Sequence, residues 1–168
     1  QRLARLLYRT ALPLSTQTFV LNQTDFEELV SSGIVAKGKC SKLDGIGVDV
    51  NFFSIQSLPN EPKKKFVMLA RLVESKGIRE FLLAAEKVKS IYPEAEFILA
   101  GKAEVGNRSF SLKTVIDYEK AGIVTYLGHI SDVRELFRTT YAFVLPSYYR
   151  EGLPRSILEA MACGRPVI

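Results

Sequence analysis

From residue 66 onward, short apolar runs alternate with longer segments of helical period. The runs lie at 66–70, 97–100, 124–127, 142–145 and 166–168. None of them alternates apolar with polar residues, so each needs cover on both faces. Strands of that kind belong to parallel sheets flanked by helices. The intervening helical segments fall at about 77–91, 109–121, 132–139 and 154–163. In the first of these, Ile78, Phe81, Leu82, Ala85, Val88 and Ile91 recur at helical spacing. The last has Pro154 at a first-turn position and Gly164 after it. The alternation predicts an α/β fold, a Rossmann-like parallel sheet with helices on both faces.

The first third reads differently. Arg2, Arg5 and Arg9 stand beside Leu3, Leu6 and Leu7, the pattern of a basic amphipathic helix ending near Leu14. Such a helix packs on a partner domain or rests on an anionic membrane surface, and three arginines favour the former. A short strand at 19–21 precedes a helix at 25–32, capped by Asn22 or Thr24 and stopped by Gly33. A Gly-rich stretch follows at 44–49, and the Pro and Lys content at 59–65 marks a linker or domain edge. The expected division is therefore 1–57 and 58–168. At 168 residues the chain suits one ordinary domain plus some extra. Its start at Gln1, with no signal-like segment after it, and its apolar end at 166–168 mark it as an expected fragment.

Composition narrows the functions. The net charge of +5 favours anionic ligands but falls short of a nucleic-acid-binding profile, and no basic-aromatic stripe is present. No apolar run approaches the ~18 residues that span a bilayer. Cys40 and Cys163 form no spaced framework, which points to a reducing compartment and away from structural zinc.

In open α/β sheets ligands bind beyond the carboxyl ends of the strands. Four loops meet that description. Arg71 and Lys76 flank the start of a helix, where a guanidinium, an ammonium and free backbone N–H groups together suit a phosphate. The plain alternative is surface pairing with Glu74 or Glu80. No GxxxxGK[ST] occurs, and Gly45 and Gly47 lack a third glycine, so a Walker loop is excluded and classical NAD binding disfavoured. Glu151 and Glu159 stand eight apart, one in a loop and one on the following helix. A carboxylate there can accept both hydrogen bonds of a vicinal diol, as in ribose or a sugar. The alternatives are an exposed helical Glu159 and a Glu151 that merely favours a helix N-terminus. His129, the one histidine, is as well placed to touch a base as to be solvated. Cys163 reads as core.

These motifs resemble the family-4 retaining glycosyltransferases. The resemblance lies in Arg71-x4-Lys76-Gly77, in Val124-Thr125-Tyr126-Leu127-Gly128, and in the Glu151-x7-Glu159 signature running from Leu145 to Ile168. The stretch from Gly45 to Phe53 is similar to the family's interdomain crossing. The resemblance implies a GT-B fold, with 1–57 the end of the N-terminal acceptor domain plus the crossing. Residues 58–168 would be a C-terminal nucleotide-sugar-binding domain lacking its last part. It implies that Arg71 and Lys76 hold the diphosphate, that Glu159 binds the ribose diol, and that Glu151, with Gly152, Leu153 and Pro154, holds the donor sugar. Gly128, His129 and Ile130 match the loop near the base. The family's Gly-x-Gly after the second strand appears here as Gly101-Lys102-Ala103.

The implied activity is transfer of a sugar, from a UDP-linked hexose or N-acetylhexosamine, to a polysaccharide or lipid-linked acceptor with retention. The implied location is cytoplasmic, peripheral on the inner membrane face. Positive groups around the departing diphosphate would stabilise its growing charge. No Asp-x-Asp occurs, so no metal and no cofactor are expected. Competing readings are a nucleotide-sugar epimerase or phosphorylase of the same architecture, and a non-catalytic sugar-nucleotide-binding module. Transfer by the fragment alone is not expected.

Overall fold

The structure, a computed structural model, describes residues 2–60, 62–106, 108–148 and 152–168. The chain forms two compact units. One comprises 1–47 with 150–154, the other 48–149 with 155–168.

In the first unit, α1 (Arg2–Ala11) leads through a single tight turn to β1 (Thr18–Val20). The helix α2 (Gln23–Ser31) starts where Asn22 accepts from the Asp25 amide at 2.8 Å, so Asn22 is the cap. The strand β2 (Cys40–Lys42) pairs parallel with β1, Thr18 opposite Cys40. Val20, Ile34, Val35 and Cys40 form the core of this small unit, with Phe26, Leu29 and Val30 packed on it.

The second unit holds a sheet of four parallel strands. They are β3 (Lys65–Leu69), β4 (Glu96–Ala100), β5 (Thr125–Tyr126) and β6 (Ala142–Phe143), ordered β5-β4-β3-β6. The helices α3 (Ile78–Ile91), α4 (Leu112–Lys120), α5 (Arg134–Thr139) and α6 (Arg155–Ala162) alternate with them. Crossovers between parallel strands are right-handed. The chain steps from β3 to β4 to β5 in one direction and then returns to β6, which places α3 and α4 on one face and α5 on the other. Ile78, Phe81, Leu82 and Ala85 are the buried stripe of α3, and they meet Met68, Phe97, Leu99, Val115 and Phe143 in one core.

Several expectations need adjustment. Ile91 continues the helical spacing and closes α3, but its side chain is largely exposed. The segment at 166–168 is not a full strand. It makes a single parallel bridge, Phe143 to Val167, with Phe143 N–H donating to the Pro166 carbonyl at 2.8 Å. Residues 109 and 110 precede α4 rather than opening it. Ser109 bridges to Val73 and Phe110 is buried.

Candidate functional site

The strand order fixes where a site can form. The connection after β3 leads toward β4, whereas the one after β6 leads to the bridge on its far side. Between β3 and β6 the winding therefore reverses, and the crevice beyond their carboxyl ends is the binding position in such sheets.

The loops after these two strands are pressed together there. Gly77 has φ +77, and a Cβ on it would lie 2.2 Å from the Pro146 carbonyl oxygen. The Tyr148 amide and the Ser147 hydroxyl both donate to the Ser75 carbonyl, at 3.2 and 3.3 Å. Only glycine at 77 permits this approach. The next residue opens α3, and Gly77, its cap residue, has no side chain to accept from the first amides, the kind of groups that suit an anion.

Arg71 and Lys76 sit on this β3 loop. The Arg71 guanidinium is 66% exposed, and its Nη1 lies 3.5 Å from Glu104 Oε1. The Lys76 side chain is half-buried. Arg71 is thus in a surface ion pair, though not with Glu74, which is held by Arg79 at 3.3 Å. Its partner, Glu104, stands on the loop after β4, and nothing in the sequence spacing pairs it with Arg71.

The loop after β4 continues the ladder past the strand ends. Leu72 N–H donates to the Lys102 carbonyl at 2.9 Å, and Leu72 bridges to Ala103. Gly101 has φ +151, with a would-be Cβ 1.8 Å from the Ala70 carbonyl oxygen, so no side chain fits between β3 and β4 at this level. Its amide donates to Gly128 at 2.7 Å, and its carbonyl accepts from the Tyr126 hydroxyl at 2.8 Å. Burial, with the Glu119 charge second, raises the Tyr126 pKa, so the hydroxyl stays a donor. The three loops after β3, β4 and β5 are thus bonded in series. On the last of them His129 is exposed and Ile130 half-buried.

Glu159 lies on α6, four residues after Arg155, whose guanidinium is 3.7 Å away. Its side chain is only 16% exposed, so it is not a solvated helical glutamate. Gly152, Leu153 and Pro154 group with the first unit, where a Cβ on Gly152 would fall 2.3 Å from Leu21 Cβ. Glu151 lies outside the described residues. Among the described residues no group of three or more His, Cys, Asp or Glu could hold a metal ion.

Two further arginines brace the unit. Arg165 is 2% exposed and donates to four carbonyls: Cys163 and Thr140 at 3.0 Å, Ser57 at 2.8 Å, and Gln56. Burial pushes its pKa down. A lone cation inside the apolar run that closes the sequence was the available signal. Arg134 stacks over Phe52, 4.0 Å from ring centre to guanidinium carbon, and grips Asp132 through two nitrogens. That grip holds the Asp132 carboxyl down at about 2.

Known proteins share this architecture. A UDP-glucose complex of HepE from Anabaena superposes with a TM-score of 0.74 over 97% of this chain and 47% of that one, at 22% identity. The C-terminal domain of a glycosyl transferase group 1 family protein from Francisella tularensis gives 0.56 over 72% and 69%, at 26% identity. In sequence the chain is 30% identical over 96% of its length to N,N'-diacetylbacillosaminyl-diphospho-undecaprenol alpha-1,3-N-acetylgalactosaminyltransferase of Campylobacter jejuni. It spans 44% of that relative, so it is less than half as long. Residues 49–168 match the family described as glycosyl transferases group 1, and the chain belongs to that family.

Proposed function

We propose that the second unit binds a nucleotide sugar at the carboxyl ends of β3 and β6, and that the protein transfers the sugar to a glycan or lipid-linked acceptor with retention. One observation carries this. The cationic 71–76 loop and the uncapped start of α3 meet at the point where the winding of the sheet reverses. Arg71, Lys76 and the α3 amides receive the diphosphate and stabilise its charge as the bond to the anomeric carbon breaks. Glu159 accepts from the ribose diol, and Gly128, His129 and Ile130 lie by the base. The roles of Glu151, Gly152, Leu153 and Pro154 toward the donor sugar rest on the sequence pattern alone.

Residues 58–168 then form the donor domain, and 1–57 the end of the acceptor domain with the crossing. The UDP-glucose bound by HepE supports a UDP-linked hexose donor. The name of the Campylobacter relative supports an N-acetylhexosamine and a lipid-linked acceptor. Exposed Leu3, Leu6 and Leu7 on α1 give an apolar stripe for the cytoplasmic face of an anionic membrane. No helix among the described residues is long and apolar enough to cross a membrane.

Calorimetry tests the site. Arg71→Ala and Lys76→Ala should each weaken UDP by about 1.5–3 kcal/mol, the range for charge-assisted hydrogen bonds. Uridine, which lacks the phosphates, should bind as before. Equal losses for both ligands would place the damage in the fold and not in a phosphate site.

A further inference from the structure

Glu104 brings a carboxylate to the cation assigned to the diphosphate, 3.5 Å from Arg71. Backbone pairing fixes its position. The Leu72–Ala103 bridge and the bond from Leu72 to Lys102 extend the β3–β4 ladder to the residue before it. Behind it, Phe110 N–H donates to Leu72 and Glu74 N–H to Arg108, which closes the loop. Glu74, the carboxylate on the Arg71 loop itself, is turned to Arg79. An exposed ion pair of this kind adds little to stability, so the fold gains little from a negative charge here.

We propose that Glu104 makes the site discriminate against its own product, weakening a nucleoside diphosphate more than a nucleotide sugar. This rests on the assignment of the diphosphate to Arg71. In a nucleotide sugar the outer phosphate is a diester and carries a single negative charge. Once the sugar leaves, that phosphate regains a group that ionises near pH 6, as phosphate monoesters do. At neutral pH the product therefore carries additional negative charge, and it carries it beside Arg71. A neighbouring carboxylate competes for the same guanidinium and repels that added charge. One extra charge about 5–6 Å away, in a dielectric of about 50–80 that is close to that of water, changes affinity about three- to tenfold. Glu104 thereby favours exchange of spent nucleotide for fresh donor.

Calorimetry on this chain with UDP and UDP-glucose as probes tests the proposal, using the wild type, Glu104→Gln, Glu104→Asp and Arg71→Ala. Glu104→Gln should tighten UDP about three- to tenfold at pH 7.5 and UDP-glucose clearly less. The gap should close at pH 5.5, where the outer phosphate of UDP is protonated. Glu104→Asp keeps the charge and should keep the wild-type ratio. Equal changes for the two ligands in Glu104→Gln, or weakening of both, overturn the proposal. If Arg71→Ala weakens UDP while Glu104→Gln leaves the ratio unchanged, only the role of Glu104 falls. If Arg71→Ala changes neither ligand, or the wild type binds neither, the diphosphate assignment fails and this proposal with it.

Discussion

Replacing Gly77 with alanine probes the seam on which the rim is built. The added Cβ would lie 2.2 Å from the Pro146 carbonyl oxygen and 2.7 Å from its carbonyl carbon and Cγ, all below the 3.0 Å that real Cβ atoms respect. Two of these three atoms are backbone, so no side-chain rotation relieves the clash and the β6 loop must retreat. A left-handed conformation costs a non-glycine residue about 1–2 kcal/mol. Forcing an extra methyl into packed structure adds about 1–3 kcal/mol. Together these predict a loss of about 2–5 kcal/mol. Gly122 supplies the internal control. Its φ is +72, yet a Cβ there meets nothing within 4 Å, so Gly122→Ala should show the backbone cost alone. Both positions lie in the second unit, so one urea transition followed by circular dichroism reports both. UDP affinity should fall with Gly77→Ala and hold with Gly122→Ala. If the two variants lose the same stability, the contact between Gly77 and Pro146 does not constrain the loops as described.

Glu159→Ala should weaken UDP by about 1.5–3 kcal/mol and 2′-deoxy-UDP clearly less, since part of the lost hydrogen bonding goes to the missing hydroxyl; strictly additive losses in that double cycle would remove Glu159 from the ribose. Asp132 should leave an acid signature. Arg134 holds its folded pKa at about 2, below the unfolded value of about 3.9, so its contribution is complete above about pH 4 and fades as pH falls through 2. Melting temperatures of the wild type and Asp132→Asn should therefore differ above pH 4 and converge toward pH 2, and a gap independent of pH would count against the ion pair.

How legible the fold was depended on how local each cause is. The strands β3 and β4 and the helix α3 were readable because their burial is written into consecutive residues: two covered faces in one case, a stripe at helical spacing in the other. Cys40-Ser41-Lys42 was not readable. Two of its three residues are polar, and it becomes a strand only by lying against Thr18, Phe19 and Val20. The helical spacing marked the end of α3 at Ile91, but period alone does not reveal that this side chain is exposed. The site divides in the same way. The β3 loop with Arg71 and Lys76 follows from the rule that ligands gather beyond carboxyl ends. The partners do not follow. Glu104 reaches Arg71 across 33 positions, and Arg165 finds Gln56 and Ser57 across 109 and 108. Such contacts arise from topology, which spacing along one chain does not record.

The four carbonyls around Arg165 set the unit apart from its own rim in one respect. Among the described residues no carboxylate pairs with that guanidinium, so its charge is balanced by carbonyl dipoles at hydrogen-bond distance around a buried side chain. Mobile ions screen over about 8 Å at physiological ionic strength, and only through solvent. The junction that ties residues 56–57 to the end of α6 is therefore shielded from much of that screening. The Arg71–Glu104 pair, two-thirds exposed on the arginine side, is not. Concentrated neutral salt thus loosens the Arg71–Glu104 pair more than the frame that positions it, and the proposed phosphate site can be weakened electrostatically without unfolding the domain that carries it.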